Sequence, residues 1–403
     1  MVSVQKYGGC YLKDMSDLKA IAKHVASTHQ SGDGLVIVVA AMHSIAKGIL
    51  EMADNIDTEI SSDELDSLFS SGEKQTAALM AVALGQEGLQ ASSVSDIKGY
   101  SLSDLDLEEG KHEINVEPID DILSQGQIAV VAGFQGIGDF HSTDREGRYG
   151  AAATAVSIAA KLGCDCELYG NTKGIYTLDP SGVSKSSQLK VIDEISYEEA
   201  MEMILLGKSD LESRALELGK RFDVKIYVGP ALSNDKNGGT YIMDRSLIVK
   251  EAAVTGISLS DDIVVYTLNG ISGKGDAIAE LFQLLGDLEV NIDMISQQSG
   301  ESGLSAVSFS CGKNKIPDID KAFAGNQRLR NLKIGKRDDL TLVSIIGVGM
   351  ASHVGVASKV FSVLASENIR HYNITTSEIS ISAAIDASNR SKAMVALGEA
   401  FDF

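Results

Sequence analysis

The chain contains no tryptophan, only 4 prolines and only 4 cysteines in 403 residues. Cysteines at 10, 164, 166 and 311 are too few and too scattered to staple a disulfide framework, which points to a reducing, cytoplasmic setting. Cys164 and Cys166 form C-x-C inside an apolar run, with neither a second pair nor a nearby histidine to complete a zinc site, and read as packing residues. Proline is so scarce that glycine, at 39 residues, carries the punctuation. Long apolar runs are missing as well. The N-terminus (MVSVQKYGG) has no apolar leader core and no run approaches a membrane span, so no membrane partner is expected. Positive charge is in deficit, with 35 Lys+Arg against 56 Asp+Glu and a net charge of −21, and the resulting field argues against nucleic acid or an anionic membrane as partner. What remains, 44% apolar and 23% charged, is ordinary globular composition in a chain long enough for two or three domains.

The C-terminal third repeats itself. Val264–Ser296 and Leu342–Thr375 both read as strand, turn, amphipathic helix, strand, with Phe282 matching Phe361 and Ile295 matching Ile374. One such unit has a helix face and a sheet face to bury, so two copies predict sheets joined side by side. Paired small domains behind a larger one suit a metabolite sensor, and so a regulated catalyst or a descendant of one. Lys313–Asp338, basic and irregular, reads as the connection between the copies.

The N-terminal part alternates strands and helices. Leu35–Ala40 (LVIVVA) and Ile128–Phe134 (IAVVAGF) are β-branched runs without alternation, as expected of strands buried on both faces. Gly150–Leu162 is a small-residue helix, and Cys166–Tyr169 and Val224–Val228 are further strands. This pattern predicts an α/β domain with a mostly parallel sheet, whose ligands meet the glycines that follow the strands.

Lys6-Tyr7-Gly8-Gly9 closes the first strand. Backbone N–H groups freed by glycine can cradle phosphate, and a lysine beside them neutralises charge during transfer. With it come Val38–Met42 (VVAAM), Ser71-Gly72-Glu73, Val130–Gly136 with Gly147–Val156 (GRYGAAATAV), and Gly174–Pro180 (GIYTLDP). The helix of Ile195–Leu206 and, in the repeats, Asn291–Ile295, Gly347–Met350 and Thr375–Ala383 complete the series. In order, spacing and tandem repeat the chain resembles the aspartokinase family. The resemblance implies a three-layer amino-acid kinase (carbamate-kinase-like) domain at 1–245, followed by two ferredoxin-like ACT domains (βαββαβ) at 255–335 and 336–403. It also implies transfer of a phosphoryl group from MgATP to the side-chain carboxylate of L-aspartate, giving 4-phospho-L-aspartate.

The same resemblance implies the site residues. Lys6 would stabilise the transferring phosphoryl group. Gly8, Gly9, Asn171, Lys173, Gly174, Tyr176 and Lys208 would meet the nucleotide. Ala40, Glu73 and Arg148 would line the amino-acid site, with Arg148 clamping a carboxylate and Glu73 taking the amino group. Asp276, Asn291, Asp293, Gln297, Val354 and Gly355 would bind an effector, lysine or threonine, where ACT domains of two subunits meet, making a homodimer the expected assembly. No residues are assigned to a metal in the chain itself.

Departures from the family pattern cluster on the chemistry. K-F-G-G-T-S becomes Lys6–Tyr11 without its two hydroxyls, and the threonine of S-A-M-x-x-x-T becomes Ala46. The Ser-Asp of G-R-G-G-S-D becomes Ala151-Ala152, removing the carboxylate that orients the lysine, and T-D-x-D-G becomes Gly170–Gly174, with Asn171 and Lys173 for the acids. G-A-K-V-L-H-P becomes Gly207–Ser213, with the lysine one place along. These losses leave two alternatives beside the kinase reading: a regulatory subunit working with an active aspartokinase, or a kinase for a different amino acid.

Overall fold

In the computed structural model the described residues are 2–8, 11–56, 62–94, 114–133, 150–183, 189–207, 211–233, 238–248, 252–272, 276–299, 304–329 and 332–403. They form two compact units. The first comprises residues 1–176, 191–204 and 209–250, and the second 177–190, 205–208 and 251–403.

The first unit contains β1 (Val2–Tyr7), α1 (Met15–Thr28), β2 (Gly34–Val39), α2 (His43–Asp54), α3 (Ser62–Gln86), β3 (Ala91–Val94), α4 (Glu117–Ser124) and β4 (Ile128–Ala132). It continues with α5 (Ala151–Leu162), β5 (Cys166–Gly170), β6 (Glu194–Ser196), α6 (Tyr197–Leu205), α7 (Ser213–Phe222), β7 (Ile226–Pro230) and β8 (Thr240–Met243). Among the described residues the strands make one sheet in the order β3-β4-β2-β1-β5-β7-β8-β6, parallel except at the β7–β8 pair. The sequence reason is the run GLVIVV in β2 and IAVVA in β4, buried on both faces and so needing a helix layer on each.

On one face Tyr7, Ile37, Val39, Val130 and Ala132 meet Leu18, Ile21 and Val25 of α1 and Ala77, Met80 and Leu84 of α3. Helix α1 starts where Asp14 accepts hydrogen bonds from the N–H groups of Ser16 and Asp17, and its apolar residues then recur at the 3–4 spacing of one buried stripe. The other face takes α5, which packs on β1, β2 and β5 and beside α7. Residues 151–159 of α5 are buried all round, because it lies between the sheet and a second helix.

In the second unit the chain runs β9 (Gly256–Ser260), β10 (Val264–Ser272), α8 (Asp276–Asp287), β11 (Met294–Ser299), β12 (Leu304–Cys311), α9 (Ile316–Gly325) and β13 (Lys333–Arg337). It ends with β14 (Leu340–Ile346), α10 (Val356–Ser366), β15 (His371–Thr376), β16 (Ser380–Asp386) and α11 (Arg390–Ala400). Among the described residues these form two four-stranded antiparallel sheets, ordered β11-β12-β10-β13 and β15-β16-β14-β9.

The linear boundaries at 255, 335 and 336 need correction. Strand β9 pairs not with the first repeat but with β14, as the fourth strand of the second, so the first repeat is inserted within the second. Residues 313–338 are not an irregular connection either, since they supply α9 and the edge strand β13. KIGKR reads as a loop because an edge strand carries charge where a central one carries Val or Ile. Nor do the sheets join side by side. With β13 and β9 in their fourth positions, the two sheets instead share an apolar cluster of Ile263, Val265 and Met294 with Leu340, Leu342 and Ala384. The matched residues do fall on matched places: Phe282 and Phe361 pack against their own cores, and Ile295 and Ile374 are exposed on β11 and β15.

A segment of the predicted kinase half also belongs to the second unit. Thr177 O accepts from Ile257 N–H (2.8 Å), Asp179 N–H donates to Ile257 O (3.0 Å), and Asp179 Oδ2 accepts from Leu259 N–H (3.3 Å), so the segment extends the sheet past β9. Leu178, buried, enters the second repeat's core among Ile257, Val360, Met394 and Leu397. Leu178→Ala is expected to cost about 2–5 kcal/mol by loss of burial and cavity formation. The check is a urea titration, in which the transition of the C-terminal unit should move to lower denaturant.

Candidate active site

The chemistry-bearing residues start from a row of main chain. Tyr7, Val39 and Ala132 stand in register at the ends of β1, β2 and β4, beside Tyr169, the last residue but one of β5. The next residues are Gly8, Ala40, Gly133 and Gly170, all small. Their ladder continues one step beyond the strands: Gly8 N–H donates to Tyr169 O (3.4 Å), Ala40 N–H to Tyr7 O (3.3 Å) and Gly133 N–H to Val39 O (2.9 Å). At the usual inter-strand spacing this carboxyl edge is about 15 Å wide. The sheet order reverses beside β1, the position at which open parallel sheets bind ligands.

Lys6 lies on the α5 face of β1, in register with Val38 and Leu168. Its side chain runs toward the edge, and a Cβ placed on Gly8 would sit 2.8 Å from Lys6 Nζ. The first glycine of the motif therefore leaves room for the ammonium group. Gly133 serves a different need, since a Cβ there would fall 2.6 Å from Ala151 Cβ, so its absence lets the first turn of α5 abut the end of β4.

Beneath the edge, Tyr7 and Tyr169 stack at 5.3 Å. Glu167, buried in the same layer, accepts from Tyr169 Oη (2.7 Å) and Gln5 Nε2 (3.0 Å), and Tyr7 Oη donates to Gln5 Oε1 (3.1 Å). Burial first, and the Glu167 charge second, push both phenols above their ordinary pKa, which keeps them as neutral donors.

Ala40 is buried at the end of β2. The turn after it is held by a residue that sequence reasoning passed over: Thr76 Oγ1 accepts from Met42 N–H (3.0 Å) and donates to Gly72 O (2.9 Å). That bond fixes the start of α2 against α3 at Gly72, the residue before Glu73, which is only 3% exposed. No sequence signal marked Thr76, which looks like any polar residue of a long helix.

On the β5 side, Asn171 and Lys173 lie exposed in the turn after the strand, and Tyr176 Oη accepts from Lys173 N–H (3.5 Å). Gly174 is buried against Thr240, whose Oγ1 accepts from Ile175 N–H (2.8 Å). Gly9, Arg148 and Lys208 lie outside the described residues. Among the described residues no group of three or more His, Cys, Asp or Glu converges to hold a metal ion, and no helix is long and apolar enough to cross a membrane.

The start of α5 carries the feature least visible in the sequence. Glu212, 5% exposed, accepts from Ala152 N–H with Oε1 and from Ala153 N–H with Oε2, both at 3.1 Å. Glu212 is itself the residue before α7, yet its side chain makes no bond to α7.

In the repeats, Asp276 opens α8, while Asn291, Asp293 and Gln297 are exposed at the start and along β11. Gln297 Nε2 donates to Ser305 Oγ at 3.4 Å. Val354 is fully exposed, and Gly355, at φ 98°, precedes α10. Of the predicted effector residues, Asp276 and Gly355 thus stand at the starts of corresponding helices of the two repeats, while Asn291, Asp293 and Gln297 gather at β11 of the first alone.

The sequence profile of the Amino acid kinase family matches residues 1–230, and that of the ACT domain matches residues 343–401. The aspartokinase of Geobacillus stearothermophilus is 32% identical over 402 residues, covering 99% of this chain and 97% of its own. The chain belongs to the aspartokinase family. A second aspartokinase, from Corynebacterium glutamicum, is 32% identical over 409 residues, covering 99% of this chain and 95% of its own. The structure of E. coli aspartokinase III in complex with aspartate and ADP superposes with a TM-score of 0.74 at 19% identity, covering 100% of both chains, and fixes the shared fold. In this aspartokinase-family chain, Gly8, Ala40 and Gly133 of that row come from three of the segments that resemble the family's motifs.

Two outcomes test this geometry. Thr76→Val keeps the shape but leaves the buried Met42 N–H without an acceptor, an expected loss of about 1–3 kcal/mol in a denaturant titration. Asp293 reaches solvent, yet partial desolvation first and the Asp262 carboxylate second raise its pKa above the ordinary value. An acid raised in the folded state holds its proton more tightly folded than unfolded, so its ionisation costs stability as pH rises through that window. Asp293→Asn is therefore expected to raise the melting temperature at neutral pH and to lose that advantage below the ordinary carboxylate range.

Proposed function

We propose that this protein transfers the γ-phosphoryl group of ATP to the side-chain carboxylate of L-aspartate and is regulated by lysine or threonine at its ACT repeats. The observation that carries the reading is the Lys6 ammonium directed over Gly8 at the carboxyl edge of β1. In this reaction an aspartate carboxylate oxygen bonds to the γ-phosphorus, the bond to the β,γ-bridging oxygen breaks, and ADP leaves with that electron pair. Charge spreads over the moving phosphoryl oxygens, and catalysis is mostly positioning and electrostatic stabilisation. Lys6 would face that charge, Gly8 would give the phosphate close access to the edge, and the Ala40 turn braced by Thr76 would hold the amino acid with Glu73 and Arg148. Magnesium would arrive on the nucleotide phosphates, with water completing its shell.

The named relatives support this reading. For the regulatory half, so does a second structure of E. coli aspartokinase III, a complex with lysine and aspartate. The acids absent at Ala152, Asn171 and Lys173 favour the other reading, a regulatory subunit that pairs with an active aspartokinase. Homodimerisation through the ACT repeats suits both.

The deciding experiment incubates purified protein with MgATP and L-aspartate and traps acyl phosphate with hydroxylamine. Aspartate-dependent hydroxamate is expected. Lys6→Ala should lower kcat by about 10²–10³. Gly8→Ala should displace the ammonium group and cost up to about 10² while leaving the unfolding midpoint in place. Wild-type protein that forms no hydroxamate, yet melts higher with lysine or threonine, would overturn the kinase reading in favour of the regulatory one.

A further inference from the structure

The missing acid at Ala152 and the buried acid at Glu212 are two sides of one exchange. Helix α5 begins with three alanines and offers no side chain of its own to its first N–H groups, a helix end that ordinarily requires a capping acceptor. Glu212 comes from a segment 60 residues along and spans the N–H groups of Ala152 and Ala153 with its two oxygens, inside a site closed to solvent. A carboxylate there also meets the positive end of the helix dipole. The family pattern carries its acid on the helix, at the position of Ala152, and a neutral or cationic His at the position of Glu212. Two acids at this one helix end would repel each other, and none would leave the end uncapped.

We propose that Glu212 is a positioning residue that carries out, from the start of α7, the task the family assigns to an acid on α5. It fixes the first turn of α5 against Gly133 and supplies negative charge at the edge that holds Lys6. This rests on the reading of that edge as the phosphoryl-transfer site. The charge has moved between elements while its place at the helix end is kept.

The test is a swap measured as a double-mutant cycle: Glu212→Gln, Ala152→Asp, and the two together. Hydroxamate formation, L-aspartate affinity by calorimetry and melting temperature are recorded for each. Glu212→Gln is expected to lower kcat by 10-fold or more with KM for aspartate changed less than 3-fold. Ala152→Asp alone should also be harmful. The double variant should recover to within a few-fold of wild type, with its melting temperature restored. Effects that simply add, so that the double variant is worse than either single one, would overturn the proposal, as would a Glu212→Gln protein equal to wild type in all three readouts. If wild-type protein forms no hydroxamate, the kinase reading fails on its own. The melting temperatures then still decide whether positions 152 and 212 share one task.

Discussion

The register that aligns Tyr7, Val39, Ala132 and Tyr169 sets everything that follows at the carboxyl edge. Parallel strands cannot end in tight turns, so each must leave the sheet in its own direction, and four neighbouring exits open a shelf at the sheet edge. Here the shelf is floored by Gly8, Ala40, Gly133 and Gly170. The small side chains matter less for chain flexibility than for the space they leave. Lys6 uses the space at Gly8, and the first turn of α5 uses the space at Gly133. A shift of one residue in β1 would send Lys6 to the Tyr7 face, against the core of α1 and α3, and turn Tyr7 toward α5.

The layer below explains why that register holds. Tyr7 and Tyr169 are large, buried and stacked, and their hydroxyls are tied to Gln5 and Glu167 on the same two strands. A buried carboxylate is costly unless its oxygens are hydrogen-bonded, and Glu167 meets donors from both strands. Slipping β1 against β5 would break those bonds and leave the charge in an apolar layer. The polar pairs therefore specify alignment, while Val36, Ile37 and Val38 supply the burial that drives the strands together.

The sequence made some of this legible and hid the rest for physical reasons. β2, β4 and α5 were readable because a β-branched or all-small run buried on every side admits few other placements. β13 was unreadable because KIGKR is a solvent-facing edge whose charges also suit a loop. The place of β9 could not be read locally, since its partner β14 lies some eighty residues away and the intervening first repeat forms a complete sheet of its own. Lys6 and Gly8 were found by motif, and the structure adds why the two types go together. Thr76 and Glu212 went unmarked because each acts on backbone N–H groups of a distant element, where the receiving residue can be any type and leaves no signature.

A motif compares side chains position by position, whereas a helix terminus or a strand edge responds to where charge and hydrogen-bonding atoms sit in space. Ala152 scores as a lost acid and Glu212 as a lost histidine, two defects by position. In space they place one carboxylate across two helix N–H groups, a complete arrangement. The exposed turn of Asn171 and Lys173 has no such counterpart among the described residues: its Lys173 N–H is closed by Tyr176, and a cation stands where the family pattern has an acid. The two sets of departures are therefore unequal. At α5 the charge has changed its residue of origin, while in the turn after β5 it has changed sign relative to the family pattern.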